Sequence, residues 1–509
     1  MKKIAGKIFN RMVITAVLVL LQIGFFIFEL VKVSQYTIYI SIGLTILSIV
    51  VVFYLICQPI NPTIKIAWIV PILLFPFLGG LLYLLFGRVY IPKRFRENLE
   101  GIERVTKDIK KQEKRISEEL ENQDLCIANQ SRYLYEFAKA PIFKNTKTDY
   151  FKVGEEYWEA LKEDLRHAEK FIFMEFFIVQ EGTMWNEIHE ILREKVKQGV
   201  EVRFLYDDMG CSFVLPNKYY QRLEKEGIKS RAFNKLVPFM DLILNNRDHR
   251  KIAVIDGKAA YTGGINLSDE YINDTHRFGH WKDTGIRLEG DAVWSFTVMF
   301  LEMWNTCQFT DEEMEKYQYK FPKNLFEDGY VQPYGDTPLD REVVGENVYI
   351  NIINAAKRYV YIYTPYLIVD NEMISAITLA AKRGVDVRIV TPGIPDKKMV
   401  YWMTQSYYSQ LTHSGVKIYQ YTPGFIHAKC FLSDDEVATV GTINLDYRSL
   451  YHHFECGVWL YRSSACQALK KDMQEVFAVS QYIDEKWMKG KKVSMKLLGP
   501  LLKLFAPLL

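Results

Sequence analysis

The apolar and polar positions divide the chain into stretches of different character. Residues 1–90 hold three long apolar segments, Met12–Val31, Tyr36–Cys57 and Ile64–Phe86. About 20 apolar residues in a helix cross a hydrocarbon core of about 30 Å, so the first two segments are predicted to span a membrane. Two prolines and two glycines interrupt the third segment. It is predicted either to span as well or to enter the membrane and return.

Basic residues at the ends of this region predict its orientation. They lie before the first apolar segment and after the third: Lys2, Lys3, Lys7, Arg11, Arg88, Lys93, Arg94 and Arg96. Such flanks stay on the cytoplasmic side, which two spans and a re-entrant third segment allow. We therefore predict a multi-pass plasma-membrane protein whose other domains face the cytoplasm. A secretory signal is the alternative, but the first apolar run is too long and lacks a cleavage site.

Residues 91–121 are rich in charged side chains. Apolar residues there recur at every seventh position, as Ile102, Ile109 and Ile116. This spacing suits a surface or connecting helix, and we predict a charged, solvated linker helix.

The end of the chain, residues 483–509, is basic and leucine-rich. Trp487–Leu509 has five lysines and no acidic residue. Apolar groups can insert into a bilayer while lysines contact anionic headgroups, so an amphipathic membrane-surface segment is predicted. A terminal helix packed on the preceding domain is the alternative.

Between these regions the chain alternates between β-branched runs and helical patterns, and the alternation occurs twice. The matching pairs are "AEKFIFMEFFIV" with "KQGVEVRFLYDD" and "AKRYVYIYTPYLIV" with "KRGVDVRIVTPG". Each pair predicts strand, helix, strand, with the glycine ending the helix. We therefore predict an α/β fold of two repeats, residues 122–335 and 336–482, related by a pseudo-twofold axis.

Each predicted repeat carries the same motif. "RDHRKIAVIDGKAAYTGGIN" (Arg247–Asn266) aligns without a gap with "FIHAKCFLSDDEVATVGTIN" (Phe425–Asn444). Both copies keep a histidine, a lysine two residues on, and then an aspartate, a glycine and an asparagine at fixed distances. Two such copies in corresponding places of a repeat are not a coincidence of composition.

The motif residues suit chemistry on a phosphodiester. Residues two apart in a strand share a face, so His249 projects with Lys251, and His427 with Lys429. If the repeats meet at their axis, both pairs converge on one pocket. One neutral imidazole can attack phosphorus while the other, protonated, gives its proton to the leaving oxygen. The lysines can stabilise the non-bridging oxygens.

Further polar residues complete the predicted site. Asn266 and Asn444 are candidate substrate-binding residues, and Asp283 and Glu455 are candidates to orient the histidines, with a surface salt bridge as the alternative for Asp283.

The motif aspartates are the last members of the candidate catalytic set. Asp256 and Asp434 are expected to fix the turns after their strands rather than to touch substrate. Two ammonium groups would repel a divalent cation, so no metal or other cofactor is predicted.

Composition narrows the class of protein. The chain has 509 residues, of which 49% are hydrophobic and 14% aromatic, which is ample for packed cores and argues against disorder. A net charge of +3 is too small to predict nucleic acid as a partner. Seven scattered cysteines show no zinc spacing and no complete disulfide framework.

With these residues in hand, the chain resembles the phospholipase D superfamily, whose mark is the doubled HxKxxxxDxxxxxxG(G/S)xN motif. Within it, the chain is similar to the bacterial cardiolipin synthases, through "GGINLSDEYIN", "HWKDT", "YTPYL" and "NLDYRS". One departure is Gly264 and Thr442, which stand where the superfamily often has serine. The first apolar segment is a second departure, because two spans are usual.

The resemblance implies transfer of a phosphatidyl group from one phosphatidylglycerol to another, giving cardiolipin and glycerol through a phosphohistidine at His249. It implies a bacterial plasma-membrane enzyme acting on phosphatidylglycerol among anionic lipids. A phospholipase D that hydrolyses lipid to phosphatidic acid remains the alternative, because both reactions share the motif. A nuclease is disfavoured by the apolar segments and the small charge, and a scaffold with a vestigial motif by the completeness of both copies.

Overall fold

The computed structural model describes residues 35–83, 87, 93–234, 246–308, 310, 312–340, 342–490, 502–504 and 506–508. The chain divides into two compact units. One unit contains the first three helices, and the other contains every strand and every later helix given below.

The first unit is helical. Its helices are α1 (Gln35–Cys57), α2 (Pro62–Leu74) and α3 (Pro76–Leu82). The predicted third apolar segment is thus a helix broken at Phe75, next to a proline that opens α3. Among the described residues, no helix is both long and apolar enough to cross a membrane. The segment Met12–Val31 lies outside the described residues, so its predicted span is untested.

The charged region after the first unit differs from the prediction. In place of one solvated linker helix there are α4 (Lys93–Thr106) and α5 (Lys114–Gln123), followed by α6 (Leu125–Ala138). Ile102 and Ile116, two of the residues spaced by seven, are buried. The solvated linker was therefore wrong, because these helices belong to the globular unit: Ile102 joins the hydrophobic cluster of the sheets, and Ile116 is buried on the next helix.

The first repeat alternates strands and helices. Its elements are β1 (Thr146–Phe151), α7 (Gly154–Arg166), β2 (Phe171–Phe176), α8 (Thr183–Lys197), β3 (Glu201–Asp207), α9 (Asp208–Cys211), α10 (Tyr219–Lys225), β4 (Lys229–Phe233), β5 (Arg247–Asp248), β6 (Ile252–Ile255), β7 (Ala259–Gly263), β8 (His280–Lys282), β9 (Gly285–Gly290) and α11 (Val293–Cys307). Seven strands form a sheet in the order β1-β9-β7-β6-β2-β3-β4.

The second repeat follows the same plan. Its elements are β10 (Tyr330–Asp336), α12 (Val344–Ala355), β11 (Tyr359–Tyr363), β12 (Leu367–Ile368), α13 (Asn371–Lys382), β13 (Asp386–Pro392), α14 (Lys398–His413), β14 (Lys417–Tyr421), β15 (Gly424–Ile426), β16 (Cys430–Ser433), β17 (Val437–Gly441), β18 (Leu445–Asp446), α15 (Tyr447–Tyr451), β19 (His453–Tyr461), α16 (Ser464–Ala478), β20 (Ser480–Tyr482) and α17 (Glu485–Lys489). The sheet order is β10-β19-β17-β16-β11-β13-β14-β20.

The repeated sequence pattern explains this architecture. The apolar runs of β2 and β11 are buried at every position, as expected for central strands paired in parallel with β3 and β13. Gly199 and Gly384 follow α8 and α13 with φ of 88° and 95°, a conformation that favours glycine at a helix end. The strand, helix, strand prediction is confirmed in both repeats.

The two repeats are joined through exchanged short strands. β5 of the first repeat pairs in parallel with β19 of the second, and β15 of the second pairs in parallel with β8 of the first. One hydrophobic cluster includes buried residues of both sheets and of α11, whose Phe300 stacks on Phe173 with ring centroids 4.8 Å apart. These exchanges bring the two motifs into one unit.

Candidate active site

Each histidine-lysine pair lies in a break between two strands of its motif. His249 and Lys251 follow β5 and precede β6, and His427 and Lys429 follow β15 and precede β16. We predicted one continuous strand, but the chain changes partner here. The backbone N–H of His249 donates to Phe454 (2.9 Å) in the other repeat, and that of His427 donates to Lys282 (2.7 Å).

The change of partner brings each histidine to a carboxylate of the opposite repeat. Nδ1 of His249 donates to Glu455 at 2.8 Å from Oε1, and Nδ1 of His427 donates to Oδ2 of Asp283 at 2.6 Å. Both carboxylates are fully buried. A bond at Nδ1 fixes the ring and leaves Nε2 for chemistry.

The lysines lie beside the histidines, as the motif spacing predicts. Nζ of Lys251 donates to the carbonyl of His249 at 2.6 Å. Nζ of Lys429 donates to the carbonyl of His427 and lies 3.0 Å from its Nε2. Burial, and then the charges of Lys251, His453, Lys429 and His427, lower the pKa of His249, so the two motifs are within electrostatic reach of each other.

The candidate substrate-binding asparagines occupy different surroundings. Asn266 accepts from the N–H of Ile178 (3.0 Å) and donates to the Tyr271 hydroxyl (2.7 Å). The buried Oδ1 of Asn444 has no hydrogen-bond partner among the described residues. Asn444 is therefore the asparagine with an acceptor available to a ligand.

The two motif aspartates hold loops. Asp256 accepts from three successive backbone N–H groups, those of Glu169, Lys170 and Phe171, at 2.7 to 2.9 Å. Asp434 accepts from the backbone of residues 357 to 359 over the same distances. Both have positive φ, 54° and 57°. These contacts fix the turn after each motif strand against the start of the neighbouring strand, and they are all to backbone.

Burial makes the basic residues of the site easy to deprotonate. Burial and the charge of Lys429 lower the pKa of His427 to about 4, against the opposing effect of Asp283. Burial lowers the pKa of Lys251 to about 8 and of Lys429 to about 7. Without a ligand, both imidazoles are neutral near pH 7, and an anion would favour the protonated forms.

The two carboxylates differ in their environment. Burial raises the pKa of Glu455, with Lys251 and the hydroxyls of Ser449 and Thr442 opposing it. Burial also acts on Asp283, but the charges of His427 and Lys429 hold its pKa below the usual value. The carboxylate beside His427 is thus the more firmly ionised of the two.

Hydroxyl groups that our sequence analysis did not identify distinguish the two sides. Thr442 and Ser449 both donate to Glu455. At the position equivalent to Thr442 the first repeat has Gly264, where an added Cβ would lie 2.1 Å from Oδ1 of Asp283. The departure of these two positions from the superfamily pattern was the available signal. The two positions differ because Gly264 faces the carboxylate of Asp283 and Thr442 faces that of Glu455.

Comparisons with known proteins identify the family to which the chain belongs. The family described as "Cardiolipin synthase, PLD-like domain" matches residues 161–278 and 349–477, and one described as "Phospholipase D-nuclease N-terminal" matches residues 43–88. A cardiolipin synthase of Halalkalibacterium halodurans is 33% identical over 476 residues, covering 92% of this chain and 93% of the relative. The chain belongs to the PLD-like cardiolipin synthase family.

Two further relatives complete the comparison. An uncharacterized protein of Streptococcus mutans is 47% identical over 461 residues, covering 90% of this chain and 99% of the relative. The crystal structure of a phosphatidylserine synthase from Haemophilus influenzae matches with a TM-score of 0.57 at 14% identity, over 75% of this chain and all of that one. At that identity the likeness shows the fold alone: an α/β PLD-like fold of two repeats.

Proposed function

We propose that this enzyme is a phosphatidyltransferase that makes cardiolipin and glycerol from two molecules of phosphatidylglycerol. The observation that carries the proposal is the crossed pair of histidines, each held at Nδ1 by a buried carboxylate of the other repeat. The name of the Halalkalibacterium relative supports the substrate class. A pair of imidazoles with two ammonium groups suits a phosphodiester, because it supplies a nucleophile, an acid and compensation of negative charge.

In the first half-reaction His249 is the nucleophile. Its neutral ring donates Nδ1–H to Glu455, so the Nε2 lone pair attacks phosphorus and forms the N–P bond of a phosphatidyl-histidine. The P–O bond to the glycerol headgroup breaks, and His427 gives the departing oxygen its proton. Asp283, the more firmly ionised carboxylate, favours the protonated form of His427. This difference supports His427 as the acid.

The second half-reaction reverses these roles. His427, now neutral, takes the proton from a hydroxyl of the second phosphatidylglycerol as that oxygen attacks phosphorus. The N–P bond breaks and His249 is released. One phosphodiester replaces another, so the exchange is close to balanced in energy and needs no activated donor. A second lipid held in the same membrane has a high effective concentration compared with a free acceptor.

The remaining motif residues would bind the lipid phosphate. Lys251 and Lys429 supply positive charge to the non-bridging oxygens, and Oδ1 of Asn444 can accept from a hydroxyl of the glycerol headgroup. Asp256 and Asp434 act as positioning residues through the loops that they hold. The expected effect of losing either is on folding and alignment.

The proposal also places the enzyme in the plasma membrane, with the catalytic repeats in the cytoplasm. The apolar segments of the sequence support this, as do the exposed apolar side chains of α1, including Ile46, Val50 and Phe53. Cysteine labelling tests it. With the exposed Cys57 and Cys126 replaced by serine, an impermeant thiol reagent should fail to label Asn217→Cys in intact cells. Efficient labelling would put the repeats outside.

The activity is tested with purified protein in vesicles of phosphatidylglycerol alone. Cardiolipin and glycerol should form in equal amounts, without a cytidine-linked lipid and in the presence of a chelator. Phosphatidic acid as the main product would favour the alternative hydrolytic reaction. A requirement for an activated lipid, or for one particular divalent ion, would show that the mechanism is wrong.

A further inference from the structure

The exchanged strands β5 and β15 hold the catalytic histidines opposite their carboxylates. They also hold a second pair of residues opposite each other next to each histidine. In the β5–β19 pair, His453 is opposite Arg247. His453 is two residues before Glu455, and Arg247 is two residues before His249. In the β15–β8 pair, Phe425 is opposite Trp281. Phe425 is two residues before His427, and Trp281 is two residues before Asp283. Residues two apart share a face, so these pairs flank the catalytic histidines. One flank is cationic, and the other is aromatic.

The loops that follow the two motifs repeat this contrast. "NLDYRS" places Arg448 four residues after Asn444, and "NLSDEY" places Glu270 four residues after Asn266. The next residue of each loop reaches the site: Ser449 donates to Glu455, and the Tyr271 ring packs 5.5 Å from that of His427. An arginine and a glutamate thus occupy equivalent places on opposite sides.

The cationic flank is a cluster beside His249. The rings of His453 and His249 are 5.8 Å apart between centroids. Burial and then the charge of Arg448 lower the pKa of His453, and Arg247 and Lys251 act in the same direction. The cluster therefore contains two guanidinium groups and an ammonium group within electrostatic reach of one imidazole.

A buried polar atom of this cluster has no hydrogen-bond partner among the described residues. It is Nδ1 of His453, a residue that is 9% exposed. Two acidic residues interact with the arginines. Asp207 contacts Arg247 at 3.3 Å, and the charge of Asp446 opposes the lowering of the Arg448 pKa by burial. A buried polar atom without a partner costs free energy unless a ligand or water satisfies it.

We propose that Arg247, Arg448 and His453 form a second phosphate subsite, which holds the phosphodiester of the acceptor lipid while its free hydroxyl attacks the phosphatidyl-enzyme. The inference rests on the proposed function and specifies how the acceptor is chosen. Arg247 is two residues before His249, whose N–H continues the pairing with β19, so the subsite lies beside the nucleophile. Water has no phosphate to bind there, so the subsite favours transfer over hydrolysis.

Competition between two acceptors isolates the binding of the acceptor lipid. Vesicles of phosphatidylglycerol are supplied with ethanol, and the ratio of cardiolipin to phosphatidylethanol is measured. Both products come from the same phosphatidyl-enzyme, but only the acceptor that gives cardiolipin carries a phosphate. Arg448→Gln should lower the ratio about tenfold or more, the equivalent of one lost charge-assisted hydrogen bond. His453→Gln should lower it in the same direction, and Arg448→Lys should restore part of it. The matched control is Glu270→Gln, for which the ratio should not fall.

The outcomes separate this inference from the function on which it rests. If the wild type makes neither product, both proposals are wrong. If it makes both, and Arg448→Gln and His453→Gln leave the ratio unchanged, transfer stands and the subsite is refuted. Glycerol 3-phosphate as a soluble acceptor distinguishes the source of the phosphate. Arg448→Gln should impair its use as well, whereas a wild-type preference for it over phosphatidylglycerol would refute a subsite for lipid.

Discussion

The two copies of the motif hold the same catalytic residues on different supports. In "RDHRK" the residues between the functional positions are Asp248 and Arg250, and Arg250 forms a buried ion pair with Glu175 at 2.9 Å. In "FIHAK" the equivalent residues are Ile426 and Ala428, which belong to the hydrophobic core. The same backbone path is therefore stabilised by charge on one side and by apolar packing on the other.

The comparison shows which features the reaction requires. Histidine, lysine and an opposed carboxylate recur in both repeats, since a nucleophile and an acid need the same orientation of the ring. The flanking residues differ because one side of the substrate is not like the other. Two identical half-sites could not assign the nucleophile to one histidine and the acid to the other.

The largest expected effect separates the roles of the histidines. His249→Ala and His427→Ala should each lower cardiolipin synthesis by at least about 10⁴-fold, because attack and proton donation are separate needs. With a p-nitrophenyl phosphodiester, whose leaving group needs no acid, His427→Ala should still release p-nitrophenolate in a single-turnover burst and His249→Ala should not. Equal bursts from the two variants would remove the distinction.

The next prediction concerns the charged support of the first motif. Arg250→Met leaves Glu175 buried without its partner and should destabilise the protein by about 3–5 kcal/mol. The measurement is the unfolding midpoint in detergent. Adding Glu175→Leu should recover much of the loss, because an apolar pair can replace a buried ion pair. Failure of the double variant to recover would mean that the first motif depends on its charges.

Among the described residues, hydroxyl groups contact Glu455 but not Asp283, and this difference predicts a larger loss on one side than on the other. Gly264→Ser should displace Asp283, with which the new side chain would collide, and lower kcat by about 10²-fold. Thr442→Val keeps the shape and removes one donor to Glu455, with an expected loss of about tenfold. Circular dichroism controls for folding. A larger loss in Thr442→Val than in Gly264→Ser would contradict this order.

The smallest expected effect is a difference in pH dependence. Lys429 has a pKa of about 7 and Lys251 of about 8, and each lysine carries its charge below its pKa and loses it above. For wild type, the fall of kcat/KM with pH that follows from deprotonation of His427 should therefore become steeper as pH rises through 7 to 8. Lys429→Arg stays charged, so in this variant the fall should become steeper only near pH 8. An unchanged profile would assign the fall to another group.

Sequence reasoning located the two motifs because their spacing recurs and because histidine and lysine have few structural uses at such spacing. It also proposed Asp283 and Glu455 without stating which histidine each one serves. That pairing depends on short strands exchanged between residues more than 140 positions apart, which local patterns do not encode. Ile102 and Ile116 misled for a related reason: a heptad of isoleucines fits a solvated helix until its packing partner is known.

The division of labour between the two sides is tested most directly by the covalent intermediate. Enzyme is mixed with phosphatidylglycerol labelled in its phosphate, quenched in base and digested, and the labelled peptide is sequenced by mass spectrometry. We expect the label on His249, with none on His427. Label on His427 would contradict this expectation and would exchange the roles of the two histidines, and stable label on neither in repeated quenches would contradict a phosphohistidine mechanism.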